Sequence, residues 1–384
     1  MPASKKNSKI LIAPDSFKDC LPAQDVARYI GEGIKEKLPE AKIRLFPVAD
    51  GGEGTAACIA FNRGGRWKEL TVSDPLHRPA GSRYLILEDE STAVIELASA
   101  SGLEMLAAGE RNALKTSTLG TGELIRDALD SGIQHIILTI GGSATVDGGV
   151  GIAYALGFRF YDEQGNDLSP SGEITAMISR IDSSNAHPRL QEAEITIACD
   201  VRNVLNGPEG AARVYGPQKG ADEKAVAILE KGLANLSALV QLETGFGADM
   251  HPGTGAAGGA ALFLMAYGKG ILRNGFDIVA ELTGFDVLIR ESDIIITGEG
   301  RIDTQTAYGK VVASVAVMAS ATGKPLYVVA GLAEGDRQEL KEQFSASEVY
   351  SLMDFAESKE DSMQRAPVYL KRSGNLIAGC LPGN

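Results

Sequence analysis

The segment ILIAPDSFK, residues 10–18, gives the clearest indication of the architecture of this chain. Its apolar run is short, reaches a proline and is followed at once by polar residues, which is typical of a strand buried in a parallel sheet. Val26, Ile30 and Ile34 then recur at four-residue spacing and predict a helix with one apolar face. Residues 43–48 read as a second strand, so this strand–helix–strand order predicts a parallel sheet with right-handed crossovers.

The end of the chain repeats this order. Residues 293–297 predict a buried strand and the polar segment 298–303 predicts a loop. A helix is predicted at 311–321 and the next strand at 325–330. Both ends of the chain therefore have the pattern of parallel α/β structure.

The middle of the chain has a different pattern. Residues 83–87 and 92–97 flank an acidic turn and predict an antiparallel hairpin. Further strands are predicted at 136–140 and 195–199, and helices at 121–130 and 224–242.

These patterns together predict an α/β fold with two domains. A Rossmann-like parallel-sheet domain is built from both termini, residues 1–80 plus 286–384. A second α/β domain with a mixed sheet, residues 81–285, is inserted into it.

The charge balance excludes some classes of partner. The 384-residue chain has 50 acidic and 37 basic residues, for a net charge of −13. Such an acidic chain disfavours nucleic acid as a partner, since phosphate backbones bind to basic surfaces. The aromatic residues, 11 Phe, 10 Tyr and 1 Trp, leave little for a platform on which bases could stack. If the substrate is an anion, the site must create its own positive field locally.

Cysteine and histidine spacing gives no sign of a disulfide framework or a zinc site. We therefore expect reduced thiols, as in a cytosolic protein. The longest uncharged apolar run, residues 253–267, is glycine-rich and shorter than a membrane span. The sequence thus predicts a cytoplasmic protein without a membrane partner, and it gives no indication of an oligomeric state.

Five polar segments follow predicted strands, and three of them are glycine clusters that carry acidic residues. The segments are 14–18, 50–55, 141–149, 200–220 and 298–303. In open parallel sheets, ligands bind beyond the carboxyl ends of the strands. Glycine lets backbone N–H groups approach an anion closely, so these segments predict phosphate binding.

Two nucleotide-binding motifs can be set aside. The chain has no G-x-x-x-x-G-K-[ST] sequence, which excludes a P-loop. A G-x-G-x-x-G sequence occurs at 253–258, but residues 249–252 before it do not form an apolar strand. Close packing, or a helix N-terminus against an anion, explains these glycines better than dinucleotide binding, so a dehydrogenase is the weakest alternative.

Three basic residues in these segments are candidates for holding an anion. Lys18 follows the first strand, Lys219 precedes Gly220, and Arg301 lies between Glu299 and Asp303. The fork of an arginine suits a carboxylate or a phosphate. The alternatives are a solvated surface lysine at 18 and, at 301, a local ion pair with the neighbouring acids.

Aspartates at strand ends are candidates for the base and for metal ligands. Asp200 and Asp303 could each bind Mg²⁺ or act as general base, and Asp50 and Asp147 could do either too. A helix N-cap is the alternative for each of them. We take Lys18, Asp200, Arg301 and Asp303 as catalytic candidates. The substrate- and phosphate-binding candidates are Asp15, Ser16, Asp50, Gly51, Gly52, Gly141, Gly142, Ser143, Thr145, Lys219, Gly298, Glu299 and Gly300.

Taken together, these motifs resemble the type-1 bacterial glycerate kinases. The resemblance runs in order from about residue 9 to about residue 375, through the blocks APDSFK at 13–18, ADGGEGT at 49–55, GGSAT at 141–145, CDV at 199–201, GPQKGA at 216–221, 253–259 and GEGRID at 298–303. It implies an ATP- and Mg²⁺-dependent kinase of D-glycerate, with a middle domain inserted into a flavodoxin-like domain. By this resemblance alone, 2-phosphoglycerate is favoured over 3-phosphoglycerate as the product.

Two alternatives stay open beside this function. The same segments could serve a kinase of another small hydroxy acid or polyol. A non-catalytic regulator that binds a phosphorylated metabolite is the alternative from another class. The acids beside Gly51, Gly148 and Gly300 disfavour it, because a passive anion binder gains nothing from nearby carboxylates.

Overall fold

A computed structural model describes residues 8–303 and 311–381. The strands in this part of the chain are β1 (Lys9–Pro14), β2 (Lys42–Leu45), β3 (Arg66–Ser73), β4 (Pro79–Ile86), β5 (Thr92–Glu96), β6 (His135–Thr139), β7 (Arg159–Tyr161), β8 (Arg180–Asp182), β9 (Glu194–Ala198), β10 (Gly270–Arg273), β11 (Ile294–Ile302), β12 (Leu326–Ala333) and β13 (Glu348–Ser351).

The α-helices in the same residues are α1 (Ala23–Lys37), α2 (Thr55–Arg63), α3 (Ala98–Ser101), α4 (Leu119–Asp130), α5 (Val150–Ala155), α6 (Ala211–Tyr215), α7 (Glu223–Thr244), α8 (Leu262–Ala266), α9 (Gly275–Thr283), α10 (Phe285–Glu291), α11 (Val311–Ala321), α12 (Arg337–Gln343), α13 (Lys359–Gln364) and α14 (Ala366–Cys380).

The chain divides into two compact units. Unit 1 comprises Met1–Asp50, Ala57–Arg63 and Phe276–Asn384, and unit 2 comprises Gly51–Ala56 and Gly64–Gly275. These bounds differ from the predicted division at 80 and 286. The physical reason on the N-terminal side is that β3 pairs along its whole length with β4, from Arg66 opposite Ile86 to Ser73 opposite Pro79, and so belongs to the sheet of unit 2.

Unit 1 has one parallel sheet of five strands in the order β13-β12-β11-β1-β2. Counted within the unit, this is the order 2-1-3-4-5 of flavodoxin-like folds, so the predicted Rossmann-like sheet is confirmed. Strands from opposite ends of the chain are neighbours, because Ile10 lies opposite Ile294. The predicted first helix is also confirmed: α1 buries Val26, Ile30 and Ile34.

Unit 2 has a six-stranded mixed sheet in the order β10-β9-β6-β5-β4-β3. Strands β3, β4 and β5 are antiparallel, and β5, β6, β9 and β10 are parallel. The hairpin and the mixed sheet predicted for the middle of the chain are therefore confirmed.

Helix α7 belongs to the core of unit 2. By length and composition it is the one helix among residues 8–303 and 311–381 that could cross a membrane, with a mean hydropathy of 1.3. Its apolar side is buried in the main core cluster through Leu229, Leu233, Leu236 and Val240. A buried core helix of a globular unit has the same composition, so α7 gives little support for a membrane span.

One predicted loop is wrong. Residues 298–302 do not leave the sheet, because β11 continues to Ile302. Its glycines have low strand propensity, but β1 pairs with it as far as Gly298 and β12 as far as Ile302, and this pairing holds the segment extended. The expected polar stretch after β9 is only partly irregular, since it contains α6.

Candidate functional site

In unit 1, the segment after β1 lies beside the end of β11. The N–H of Asp15 donates to the carbonyl of Gly298 at 2.8 Å. A Cβ on Gly300 would lie 3.3 Å from the backbone nitrogen of Lys18. The structure thus brings the predicted segment 14–18 next to the first residues of the predicted segment 298–303.

Three carboxylates influence one another at this place. The pKa of Asp15 is raised well above its usual value, first by burial and then by the negative charges of Asp50 and Glu299. The N–H of Ser16 donates to the carboxylate of Asp15 at 2.6 Å and opposes part of this shift. A carboxyl group with a raised pKa is suited to accept and release a proton near neutral pH.

The cations predicted for this part of the chain are exposed. Lys18 has an exposed side chain. The guanidinium of Arg301 forms an ion pair with Glu334 at 2.6 Å, and both side chains are exposed. This pair reaches across to the segment after β12, whereas the sequence suggested Glu299 or Asp303 as the partner. Asp303 is the last described residue before the gap at 304–310.

In unit 2, three glycine-containing segments converge. A Cβ on Gly51 would lie 2.9 Å from the Cβ of Ala198 and 3.0 Å from the Cα of Gly275. A Cβ on Gly141 would lie 2.8 Å from the Cα of Gly52. Only glycine permits these approaches, so the segments 51–55 and 141–145 meet at the carboxyl end of β9.

Asp200 is fixed at the same place. Its Oδ1 accepts hydrogen bonds from Nδ2 of Asn274 at 2.7 Å and from the N–H of Gly275 at 2.8 Å. Such donors orient a carboxylate, as they do for carboxylates that bind metals. Asn274 was not a candidate in the sequence, where it follows a short strand without further signal.

Lys219 is buried, with only 2% of its surface exposed. Its Nζ donates to Oγ of Ser143 at 2.6 Å and to the carbonyl of Thr145 at 2.8 Å, and it lies 5.9 Å from the ring centre of Tyr215. Burial lowers the pKa of Lys219 to about 7, against the carboxylate of Asp147, which raises it. The sequence suggested Lys219 as an anion-binding residue; the structure buries it against segment 141–145.

The contacts of Asp147 indicate a role in holding the fold together. Its buried carboxylate accepts hydrogen bonds from the N–H and the hydroxyl of Thr118 and from the N–H groups of Gly149 and Gly151. These bonds hold the segment that leads into α5. Burial raises the pKa of Asp147, while these bonds lower it.

Glu96 is a further candidate that sequence reasoning missed. It lies at the end of β5, and its Oε1 accepts from the N–H of Ala56 at 2.8 Å. Burial raises the pKa of Glu96 more than any other influence. Its position near the end of a predicted strand is the sequence signal that could have identified it.

The glycines at 253–258 pack closely against other backbone. A Cβ on Gly255 would lie 2.2 Å from the carbonyl oxygen of Val204, and a Cβ on Gly258 would lie 2.2 Å from that of Thr145. This close packing accounts for the G-x-G-x-x-G sequence without a dinucleotide.

The described residues do not form a preassembled metal site of three or more ligands. Within residues 8–303 and 311–381, no group of three or more His, Cys, Asp or Glu side chains is arranged to hold a metal ion. Mg²⁺ in phosphoryl-transfer enzymes usually needs only one or two protein carboxylates together with phosphate oxygens and water. The fixed carboxylate of Asp200 fits that requirement.

Comparison with known proteins identifies the family. The glycerate kinase family model matches residues 10–381. The chain is 40% identical over 373 residues to a glycerate kinase of Bacillus subtilis, covering 97% of both chains. It is 39% identical to a glycerate 2-kinase of Escherichia coli, covering 97% of this chain and 98% of the relative. A crystal structure of a protein assigned as glycerate kinase 2 from Salmonella typhimurium superimposes with a TM-score of 0.84 at 38% identity, covering 98% of each chain. The chain belongs to the glycerate kinase family.

Proposed function

We propose that this protein transfers the γ-phosphoryl group of ATP to D-glycerate and forms 2-phosphoglycerate in preference to 3-phosphoglycerate. The observation that carries the proposal is the convergence of segments 51–55 and 141–145 beside Asp200. Phosphoryl transfer needs backbone amides that approach phosphate oxygens and a hard oxygen ligand for Mg²⁺. The name of the Escherichia coli relative, glycerate 2-kinase, supports the choice of product.

Roles for the individual residues follow from their chemistry. Asp200 would hold Mg²⁺, which when bound neutralises charge on the phosphate oxygens, and Asp303 is the second candidate ligand. Lys18 and Arg301 are exposed cations free of the desolvation cost of burial, and we assign them to anionic oxygens of glycerate or the γ-phosphate. Asp15, with its raised pKa, is our candidate for accepting the hydroxyl proton.

The remaining binding candidates keep the roles expected from the sequence. We propose that backbone amides of the glycine segments contact phosphate oxygens. The residues assigned to substrate and phosphate are Ser16, Asp50, Gly51, Gly52, Gly141, Gly142, Ser143, Thr145, Gly298, Glu299 and Gly300. We also propose a cytoplasmic location.

The test is an assay of ADP formation by the purified protein with ATP, Mg²⁺ and D-glycerate. We expect ADP to form only when all three are present. Coupling to enolase, which consumes 2-phosphoglycerate and not the 3-isomer, distinguishes the products. Full activity in excess chelator, or no turnover of glycerate, would contradict the proposal.

A panel of small hydroxy acids and polyols, run in the same assay, addresses the kinase alternative. Faster turnover of another member than of glycerate would show that the substrate assignment is wrong. Tight binding of phosphoglycerate without any turnover would favour the regulator.

A further inference from the structure

The position of Lys219 argues against direct contact between its ammonium group and a bound phosphate. Its side chain is 2% exposed and its Nζ is engaged by Ser143 and by the carbonyl of Thr145. Direct contact with a ligand is disfavoured because almost none of the side chain is exposed. Any effect of this charge on a ligand must therefore pass through the segment 141–145.

The hydroxyl of Ser143 is the group through which the charge can act. A serine oxygen accepts and donates at the same time. Oγ of Ser143 accepts from Nζ of Lys219 at 2.6 Å, and within the described ranges no acceptor takes the serine proton. The hydroxyl of Thr145, two residues further on, is buried and has no hydrogen-bond partner in the same part of the chain. Ser143 thus offers a hydroxyl proton that an oxyanion could accept, whereas the hydroxyl of Thr145 is fully buried.

We infer that Ser143 donates its proton to an anionic oxygen of the bound substrate or nucleotide, and that Lys219 is a positioning residue that fixes and polarises this hydroxyl. The inference rests on the proposed function in one respect, namely that an anion binds at segment 141–145. It changes the role of Lys219 from a residue that contacts the anion to one that acts through Ser143. Because a cation donates to Oγ, the serine proton becomes a better donor and points away from the lysine.

The groups around Lys219 determine how its charge responds to pH. Asp147 faces it from the segment before α5, the ring of Tyr215 faces it from α6, and the carbonyl of Arg111 lies next to Gly220. The carboxylate of Asp147 favours the charged lysine, and burial opposes it more strongly, so the pKa of Lys219 is about 7. We therefore expect anion affinity that depends on Ser143 to fall as pH rises through this value.

A double-mutant cycle tests the coupling. The four proteins are the wild type, Ser143→Ala, Lys219→Met and the double variant, and KM and kcat are measured for both ATP and D-glycerate. We expect each single variant to raise KM for the same ligand by about ten- to hundred-fold, the range for a hydrogen bond to a charged group. The KM of the double variant should be no higher than that of the more impaired single variant, since both substitutions remove the same interaction.

Lys115→Met is the matched control. Lys115 is an exposed lysine of the same unit that pairs with Glu173, and its loss should leave both KM values unchanged. If Lys219→Met does not fold, the inference is tested by a second measurement. This is the pH profile of kcat/KM for the wild type and for Ser143→Ala. The wild-type profile should fall above a pH of about 7, and this step should be absent from Ser143→Ala.

Three results would overturn the inference. Multiplicative effects in the double variant would show that Lys219 and Ser143 act independently, and an unchanged pH step in Ser143→Ala would show the same. Calorimetric titration with ATP, D-glycerate and inorganic phosphate separates this inference from the proposed function. Coupled losses of binding in a protein without turnover would support the role of Lys219 and reject the kinase reaction. No binding of any of the three ligands by the wild type would reject both.

Discussion

Replacing Asp15 with asparagine should stabilise the protein while it impairs catalysis. Burial, Asp50 and Glu299 all disfavour the ionised form of Asp15 in the folded state. Asparagine has the same shape and no charge, and its Oδ1 can still accept the 2.6 Å hydrogen bond from the N–H of Ser16. The variant therefore removes an unfavourable charge at little cost in packing.

The size of the effect follows from linkage between pKa and stability. Each unit by which folding raises the pKa of Asp15 lowers the wild-type free energy of unfolding above that pKa by about 1.4 kcal/mol. In a unit of this size, about 1 kcal/mol changes Tm by roughly 2–4 °C, so Asp15→Asn should raise Tm at neutral pH by roughly 2–4 °C for each kcal/mol of penalty that it removes.

The pH dependence has a definite sign. The folded pKa of Asp15 lies above the ordinary value of 3.8, so the penalty is largest above the folded pKa. As pH falls from the folded pKa towards 3.8, Asp15 takes up a proton in the folded state first and the penalty disappears. The Tm difference between Asp15→Asn and the wild type should therefore shrink across this window.

The assay is thermal unfolding of both proteins over a pH series, with kcat measured on the same samples. If Asp15 accepts the substrate proton, kcat should fall by about a hundred-fold or more. Glu40→Gln is the control, since Glu40 is an exposed carboxylate of the same unit and its loss should change neither quantity. A lower Tm for Asp15→Asn at neutral pH would refute the argument about burial, and unchanged kcat would refute the role in proton transfer.

Two further predictions concern Arg301 and Gly51. Arg301→Ala should lower kcat/KM for glycerate about ten-fold to ten-thousand-fold. It should hardly change Tm, because an exposed ion pair with Glu334 contributes at most about 1 kcal/mol. An unchanged kcat/KM, or an equal loss of kcat/KM in Glu334→Gln, would reject substrate binding by Arg301. Gly51→Ala should lower both Tm and kcat/KM, because φ is +93° and the new Cβ would meet Ala198 at 2.9 Å. Gly54→Ala isolates the backbone strain, since φ is +87° there and no atom lies within 4 Å of the new Cβ, so an equally large Tm loss in that variant would show that the close approach is unimportant.

The sequence predicts the fold well where hydrophobic periodicity is strong. The runs at 10–13 and 293–297 were predicted as buried strands, and the structure pairs Ile10 with Ile294 in one sheet. The pattern was insufficient at 298–302, where glycine and charge suggested a loop. Pairing with β12 as far as Ile302, and with β1 only as far as Gly298, keeps this segment in β11, and such pairing depends on strands elsewhere in the chain.

The candidate site was predictable as a set of segments and less so as a set of contacts. Strand ends with glycine identified Gly51, Gly141 and Asp200 as neighbours of a ligand, and their spatial convergence within unit 2 supports that interpretation. The burial of Lys219 against Ser143 was not predictable, because the two residues are 76 positions apart. Their contact exists only after α6 and the turn behind it have packed on the core. The roles of these residues stay predictions.

The pairing of β1 with β11 affects how the protein can form on the ribosome. Most of unit 2 is one continuous stretch, Gly64–Gly275, which leaves the ribosome before β11 exists. The strand Lys9–Pro14 emerges first, but a central neighbour in its sheet is synthesised only about 280 residues later. At a synthesis rate of about 5–20 residues per second, β1 lacks its neighbour β11 for roughly 14–56 s. During this time the apolar residues of β1 can contact other chains. We therefore expect chaperone dependence to fall on the first strand, and premature termination before residue 294 to leave unit 2 able to fold and the sheet of unit 1 incomplete.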